Sequence, residues 1–417
     1  MAQPTQMQKY MGLFILAWGA SFLRQVPMLR YVLYDPMIQA FNFTNTQFND
    51  LQFWYGLVAT LTYIPGGWLA DRVSPRKLLT ISFFSTSILG FIFSTYPSYE
   101  VCLVIHILWG VTTTLTFWAA MLRACKDMAS SNEQGRFFGF LESGRGLSNV
   151  IGTTIALWVF GMVADNHLGV QWAIWIKAGG CMLAAFLVWF FFKDPVEITP
   201  SPSLLADISQ TVKSPLVWAL ALIVFCCYTA FTVGSYMNPF LVKVCHLEAT
   251  KAGFIATVWL YGGQFAAAPV SGLLADRIGR PKALVLWFGV LIAIYILIIG
   301  LPGTPETALF TSVSFVAFYL AIYAIRGIYF AVMEDMRIPA NISGSAVGLV
   351  SVLGFTPDFI TFRLAGPILD QYPGAEGYKM IFTGGSVVAV VGLVVCLVVL
   401  LHIRKLNKTS PLINVPS

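Results

Sequence analysis

The chain has 417 residues, of which 57% are hydrophobic and 11% charged, with a mean hydropathy of +0.76, where soluble domains carry roughly 25% charged residues. That balance excludes a soluble enzyme, and 33 Phe and 12 Trp exclude disordered and collagenous chains. Seven cysteines with no CxxC pair exclude a disulfide scaffold. Five of them, Cys102, Cys181, Cys226, Cys227 and Cys396, sit in apolar runs and read as small hydrophobes. A spanning helix needs about 20 apolar residues, so the length accommodates twelve, and an all-α polytopic membrane protein is expected. The formal charge of +6 is then a matter of topology in a lipid bilayer, with no nucleic-acid partner expected.

Taken in chain order, the apolar runs and the turn residues between them predict spans over 10–34, 47–70, 78–96, 100–122, 138–164 and 170–192. The first follows only Lys9 and has no small-residue cleavage site, so the N-terminus is expected to be retained. A polar connection from Lys193 to Ser214 contains Asp194, Pro195, Pro200, Pro202 and Asp207. Six more spans are predicted over 215–242, 252–275, 283–301, 307–333, 342–368 and 377–402. The expected organisation is an N-terminal six-helix bundle (1–192), a cytoplasmic linker (193–214), a C-terminal six-helix bundle (215–402) and a cytoplasmic tail (403–417).

Placing the N-terminus in the cytoplasm puts sixteen basic residues inside, among them Lys9, Arg72, Arg76, Lys77, Arg123, Arg277, Arg280 and Arg404. Only Lys243, Lys251 and Lys379 fall outside. The positive-inside rule therefore predicts a multi-pass inner-membrane protein with both termini cytoplasmic.

The two halves contain an internal repeat. Gly67 to Lys77 reads GWLADRVSPRK and Gly272 to Lys282 reads GLLADRIGRPK, an offset of 205. Weaker matches pair Asp35-Pro36 with Asn238-Pro239, and Asn132, Gly135 and Gly139 with Asn341, Gly344 and Gly348. This duplicated GxLADRxGRxK loop resembles the signature of the major facilitator superfamily, and the likeness covers nearly the whole chain. It implies two pseudo-symmetric six-helix bundles around a central cavity, alternating access and a substrate near the bilayer midplane. Asp71, Arg72, Arg76, Asp276, Arg277 and Arg280 form the expected cytoplasmic gate, because carboxylates at helix ends can pair with arginines and helix N-termini.

Six basic residues remain inside the membrane, Arg24, Arg30, Arg145, Lys177, Arg326 and Arg363, against the acids Glu142 and Asp358. Charges at the bilayer centre cost roughly 2.5–3.5 kcal/mol on insertion scales and persist where they face a cavity or partner, so the excess favours an anionic substrate. Arg24 lies one turn before Pro27, where a kink opens the first span; Arg30, Lys177 and Arg363 read as residues that can snorkel outward. Glu142, Arg145 and Asn149 share one face of the fifth span. Tyr319, Tyr323, Arg326 and Phe330 form a stripe of the tenth, and Asp358 shares a face of the eleventh with Phe362. The expected substrate contacts are Arg24, Arg145, Arg326, Tyr323, Asn149 and Tyr319. For proton coupling they are Glu142, His106 and Asp358, His106 lying on a face with Gly110, Thr113 and Phe117.

Within the superfamily the basic first helix, Arg24 and Arg30 followed by Pro36, resembles the organophosphate and organic-anion branches, although the repeat sets Arg24 against Cys227. The stretch NEQGRFFGFLESGRG is similar to bacterial permeases related to sugar-derivative transporters. These resemblances imply a secondary transporter for a small organic anion: a sugar phosphate, a sulfonate or a carboxylate, including a polycarboxylate such as a siderophore. Proton symport, a monomer, and neither cofactor nor metal are expected. The alternatives are a proton-coupled multisubstrate drug exporter and a receptor-like member of the fold. Drug exporters of the superfamily carry an arginine in the fourth helix and a GP-containing motif in the fifth, where this chain has His106 and ESGRGLSNVIG. No HExxH, GxSxG or Walker loop is present, so an enzyme is not expected.

Overall fold

The computed structural model describes residues 6–70, 72–128, 134–192, 211–338 and 343–409, and every regular element among them is helical. The expected twelve rods are all found. In the first half they are Gln6–Phe41, Asn45–Ala70, Pro75–Phe93, Tyr99–Met128, Gln134–Met162 and Asn166–Phe191. In the second half, Pro215–Lys243 is followed by an eighth rod made of Ala249–Thr257, a π segment Val258–Gly262 and Gly263–Ile278. Then come Arg280–Gly300, Ala308–Ile328, an eleventh rod of Ser343–Gly354 and Pro357–Gln371, and Ala375–Thr409. Among the described residues nine of these are long and apolar enough to cross a membrane. The expected linker 193–214 lies mostly outside the described residues, as does Asp71.

Local chemistry explains the breaks. Pro27 has no N–H to donate, and residues 26–29 form a turn that divides the first rod into Gln6–Gln25 and Arg30–Phe41. Arg24 therefore sits at the end of a helical segment, as the proline predicts. The fourth rod carries a π segment at Val111–Leu115, a geometry that widens the helix and often marks a functional site. The repeated loop closes in two ways. In the second copy Gly279 adopts φ +92°, a conformation that side-chain-bearing residues rarely take. In the first copy Ser74 has φ −60° and caps the third rod by accepting from the Lys77 N–H at 3.3 Å. One turn is made by backbone freedom and the other by a side-chain cap.

Within each half the rods pack into one bundle: the first against the fifth and sixth, the third against the sixth, the eighth against the tenth, and the ninth against the twelfth. Phe14, Trp158, Phe190, Leu309 and Val398 stay exposed, presenting an apolar girdle to hydrocarbon. The halves meet through the second and eleventh rods and through the first and fifth against the eighth. Without a hydrophobic drive between helices in lipid, close approach depends on small residues. At Gly366 an added Cβ would lie 2.9 Å from the Thr46 Cα.

Polar and ring contacts between the halves, among the described residues, cluster away from the termini, in what is here called the far end. Asp370 accepts from the backbone N–H groups of Asn45 and Thr46 at 2.9 and 2.8 Å and from both of their side chains. Lys243 pairs with Asp35 at 3.1 Å, Arg363 with Asp50 at 2.5 Å, and the Tyr236 hydroxyl donates to Asn49.

Three of the six intramembrane cations depart from expectation. Arg30 does not snorkel: it is buried, donates to the Phe48 carbonyl at 2.9 Å and to Asn49 at 2.7 Å, and stacks on Phe362 of the other half. Lys177 is 1% exposed inside the first bundle, held by Gln25 and Thr153. Arg363 is half-exposed but committed to Asp50. Asp35 and Asp50 thus join Glu142 and Asp358 as acids to be counted: Asp50 answers Arg363 and Glu142 answers Arg145, while Arg24, Arg30, Lys177 and Arg326 have no carboxylate at ion-pair distance among the described residues. Hydropathy hides such partners because they come from distant rods.

Candidate functional site: an arginine-lined cavity of the first half

Arg24 and Arg145, 121 positions apart in sequence, line one cavity with Ala20, Leu23, Tyr55, Thr113, Phe117 and Trp118. Arg24 reaches it from the end of the first helical segment, with Tyr63 and Tyr55 within electrostatic reach of its guanidinium. Arg145 stacks on Trp118 at 5.7 Å and donates to Glu142 at 2.5 Å, the i, i+3 pair that the fifth rod's spacing predicts. Glu142 is half-exposed and Arg145 is largely covered. Thr113, in the π segment, bonds the Tyr55 hydroxyl at 3.1 Å.

The second half supplies Arg326. Its guanidinium lies 4.9 Å from the Phe231 ring and 5.5 Å from those of Tyr228 and Tyr323, a cation already caged by aromatic faces. Tyr228 donates to Asp358 at 3.1 Å. Asp358 and Tyr228 both lie within electrostatic reach of Arg24 and of Arg326, so this pair joins the two arginines across the halves. Neither Arg24 nor Arg326 has a carboxylate at ion-pair distance among the described residues.

The other expected site residues are not among those lining this cavity, although Asn149 lies one turn beyond Arg145 on the fifth rod. Tyr323 donates its hydroxyl to the Leu260 carbonyl at 2.6 Å and turns its ring to Arg326. Tyr319 is not on the cavity wall: it is fully buried behind Tyr323, its ring parallel to Trp259, and its hydroxyl has no partner. Helical spacing gave it the right stripe but not the depth. Asn149 is half-buried and accepts from Ser21 at 2.5 Å and from Gln25. His106 is not among the residues lining the cavity: its Nδ1 bonds the Cys102 carbonyl at 2.8 Å, and Phe93 and Trp109 pack on its ring. That geometry fits a satisfied core histidine, so its expected coupling role has no support from its position.

Among the described gate residues, the contacts given for Arg72, Arg76 and Arg280 lie within their own halves. Arg72 bonds its own rod at the Trp68 carbonyl, and Arg76 donates to the Trp189 carbonyl at 2.9 Å. Arg280 pairs with Glu334 at 2.6 Å and Asp335 at 3.4 Å, while Asp276 and Arg277 are exposed. Sequence reasoning missed Tyr55, Tyr63, Thr113, Trp118, Tyr228 and Phe231. Tyr228 follows Cys227, the position the repeat aligns with Arg24, and that alignment was the available signal.

Comparison with known proteins gives a consistent picture. The family model described as Major Facilitator Superfamily matches residues 11–360. The chain is 25% identical over 409 residues to inner membrane protein YqcE of Escherichia coli K12, covering 96% of each chain. It is 27% identical to inner membrane protein YihN of the same organism, covering 95% of this chain and 96% of that one. A crystal structure of a bacterial homologue of the human lysosomal transporter Spinster superposes with a TM-score of 0.73 at 17% identity, covering 98% of this chain and all of the other.

Proposed function

The chain belongs to the Major Facilitator Superfamily and is a membrane transporter rather than an enzyme, and we propose that its cargo is a small organic anion, carried across the inner membrane by alternating access. The observation that carries this reading is a cavity in which Arg24 and Arg145 face the same space, with Arg24 linked to Arg326 of the second half through Tyr228 and Asp358, and with neither Arg24 nor Arg326 in an ion pair among the described residues. Arginine keeps its charge in such a site, and its planar fork suits the two oxygens of a carboxylate, sulfonate or phosphate. The aromatic walls would take the cargo's carbon skeleton. An exporter of lipophilic cations fits less well, because the cage of Tyr228, Phe231 and Tyr323 already holds Arg326.

In this reading the two bundles comprise residues 1–192 and 215–402, the termini lie in the cytoplasm, and the far end faces outward. The cross-half contacts then close the outer side, and the cavity is reached from the cytoplasm. Anion entry against a negative-inside potential requires compensating positive charge. Glu142 supplies it by protonation once Arg145 turns from it toward bound anion, which links proton and cargo. Asp358, joined to Tyr228 and near both Arg24 and Arg326, is the second such group.

Purified protein should be thermally stabilised by at least one of glucose 6-phosphate, glucuronate and a sulfonated sugar, and not by tetraphenylphosphonium. Arg24→Lys should weaken that binding about tenfold or more, the range for losing a charge-assisted bidentate contact. Stabilisation by the cation alone would contradict the reading. Glu142→Gln should retain counterflow exchange while losing pH-driven accumulation; normal accumulation would make Glu142 a structural partner of Arg145.

A further inference from the structure

One cation of the first bundle takes no part in the mechanism above. Lys177 lies in the middle of the sixth rod, 1% exposed. Its ammonium is donor-only, and its partners are neutral: the Gln25 amide oxygen and the Thr153 hydroxyl, the latter at 3.0 Å. The Phe22 ring covers it from the first rod.

A donor-only neighbour fixes the direction of everything bonded beyond it. Gln25 must offer its carbonyl oxygen to Lys177, so its N–H₂ points the other way, donating to the Asn149 side-chain oxygen and to the Ser21 hydroxyl at 3.1 Å. The same Asn149 oxygen accepts the Ser21 hydroxyl at 2.5 Å. With two donors on its oxygen, the Asn149 amide cannot flip without setting N–H against N–H. Its own N–H₂ has no acceptor among the described residues, on a half-buried residue one turn beyond Arg145 on the fifth rod.

We propose that Lys177 is a specificity-determining positioning residue: through Gln25 it locks Asn149 with its N–H₂ toward the cavity beside Arg145, making that wall a hydrogen-bond donor to an anionic cargo. This inference rests on the anion reading above and adds a residue that touches no cargo itself. A buried cation two amides away imposes polarity on a surface that an unconstrained asparagine would leave free to present either end. Since cooperative hydrogen-bond chains polarise their members, the Asn149 N–H₂ is also a better donor than an isolated amide.

The test compares full-length protein and variants in nanodiscs, titrated with glucuronate and with glucose 6-phosphate, each against uncharged glucose, and reads the anion-to-glucose affinity ratio. Lys177→Met should lower that ratio about tenfold, the range expected when a charge-anchored hydrogen bond is lost, while Lys177→Arg, which keeps a donor there, should hold it within about threefold. Gln25→Glu leaves Lys177 in place and paired but removes the donor to Asn149; it should lower the ratio as Lys177→Met does, and covers the case where the methionine variant does not fold. A merely structural Lys177 would lower both affinities together and leave the ratio unchanged, which would overturn the inference while sparing the anion reading. Failure of the unaltered protein to bind either anion would overturn both.

Discussion

The two ends of the molecule use the same polar chemistry for different purposes. At the far end, partners come from opposite halves: Asp370 caps the first turn of the second rod, Lys243 reaches Asp35, and Arg363 reaches Asp50. At the end that carries the termini, the described ion pairs stay at home: Arg280 with Glu334 and Asp335, and Arg123 with Asp127. The repeat places arginine-rich loops at the termini end of both halves, yet in this state those loops brace each bundle internally. A transporter that rocks two rigid bundles must break the far-end bonds to change state, whereas the termini-end bonds can persist through the motion. The far end is therefore where substitution should shift the conformational balance, and the termini end is where it should matter least.

That contrast can be measured with spin labels replacing Glu100 and Glu306, exposed residues near the far end of opposite halves. The largest shift is expected from Lys243→Met. It strands Asp35, 2% exposed, without its cation; since Lys243 is itself 37% exposed, the loss should fall below the ~3–5 kcal/mol of a fully buried pair, and the label distance should still lengthen more than in the other variants. A smaller effect should follow Asp370→Ala. This carboxylate satisfies the unpaired N–H groups that begin the second rod, but it is exposed, so the loss should be about 1–2 kcal/mol, as for other helix caps. Arg280→Ala should leave the far-end distance unchanged, because its partners belong to its own half. A shift there as large as that of Lys243→Met would mean the two ends are not divided in this way.

The fold was legible because its signals are local and repeated. Apolar runs marked all twelve rods, Pro27 marked the break in the first, and the duplicated loop marked the two halves. The i, i+3 pairing of Glu142 with Arg145 was also readable, since one helix carries both. What sequence could not give was depth and partnership across rods. Tyr319 and Tyr323 share a stripe, yet one lies in the core and the other against Arg326. Arg30 and Lys177 looked able to reach water, and each is instead enclosed by groups distant in the chain: Phe362 for Arg30, and Thr153 and Gln25 for Lys177. The aromatic cage came from the seventh and tenth rods together, a juxtaposition that no single-helix periodicity encodes.

In the transport reading proposed above, Arg24, which has no ion-pair partner among the described residues, receives an anion together with Arg145 on its way across the membrane. Uptake into proteoliposomes tests it most directly, with radiolabelled glucose 6-phosphate, glucuronate and tetraphenylphosphonium offered separately to the unaltered protein and to Arg24→Ala. Saturable entry of at least one anion is expected, with its loss in Arg24→Ala and no protein-dependent entry of the cation. Entry of tetraphenylphosphonium without either anion, or anion entry undiminished in Arg24→Ala, would contradict it.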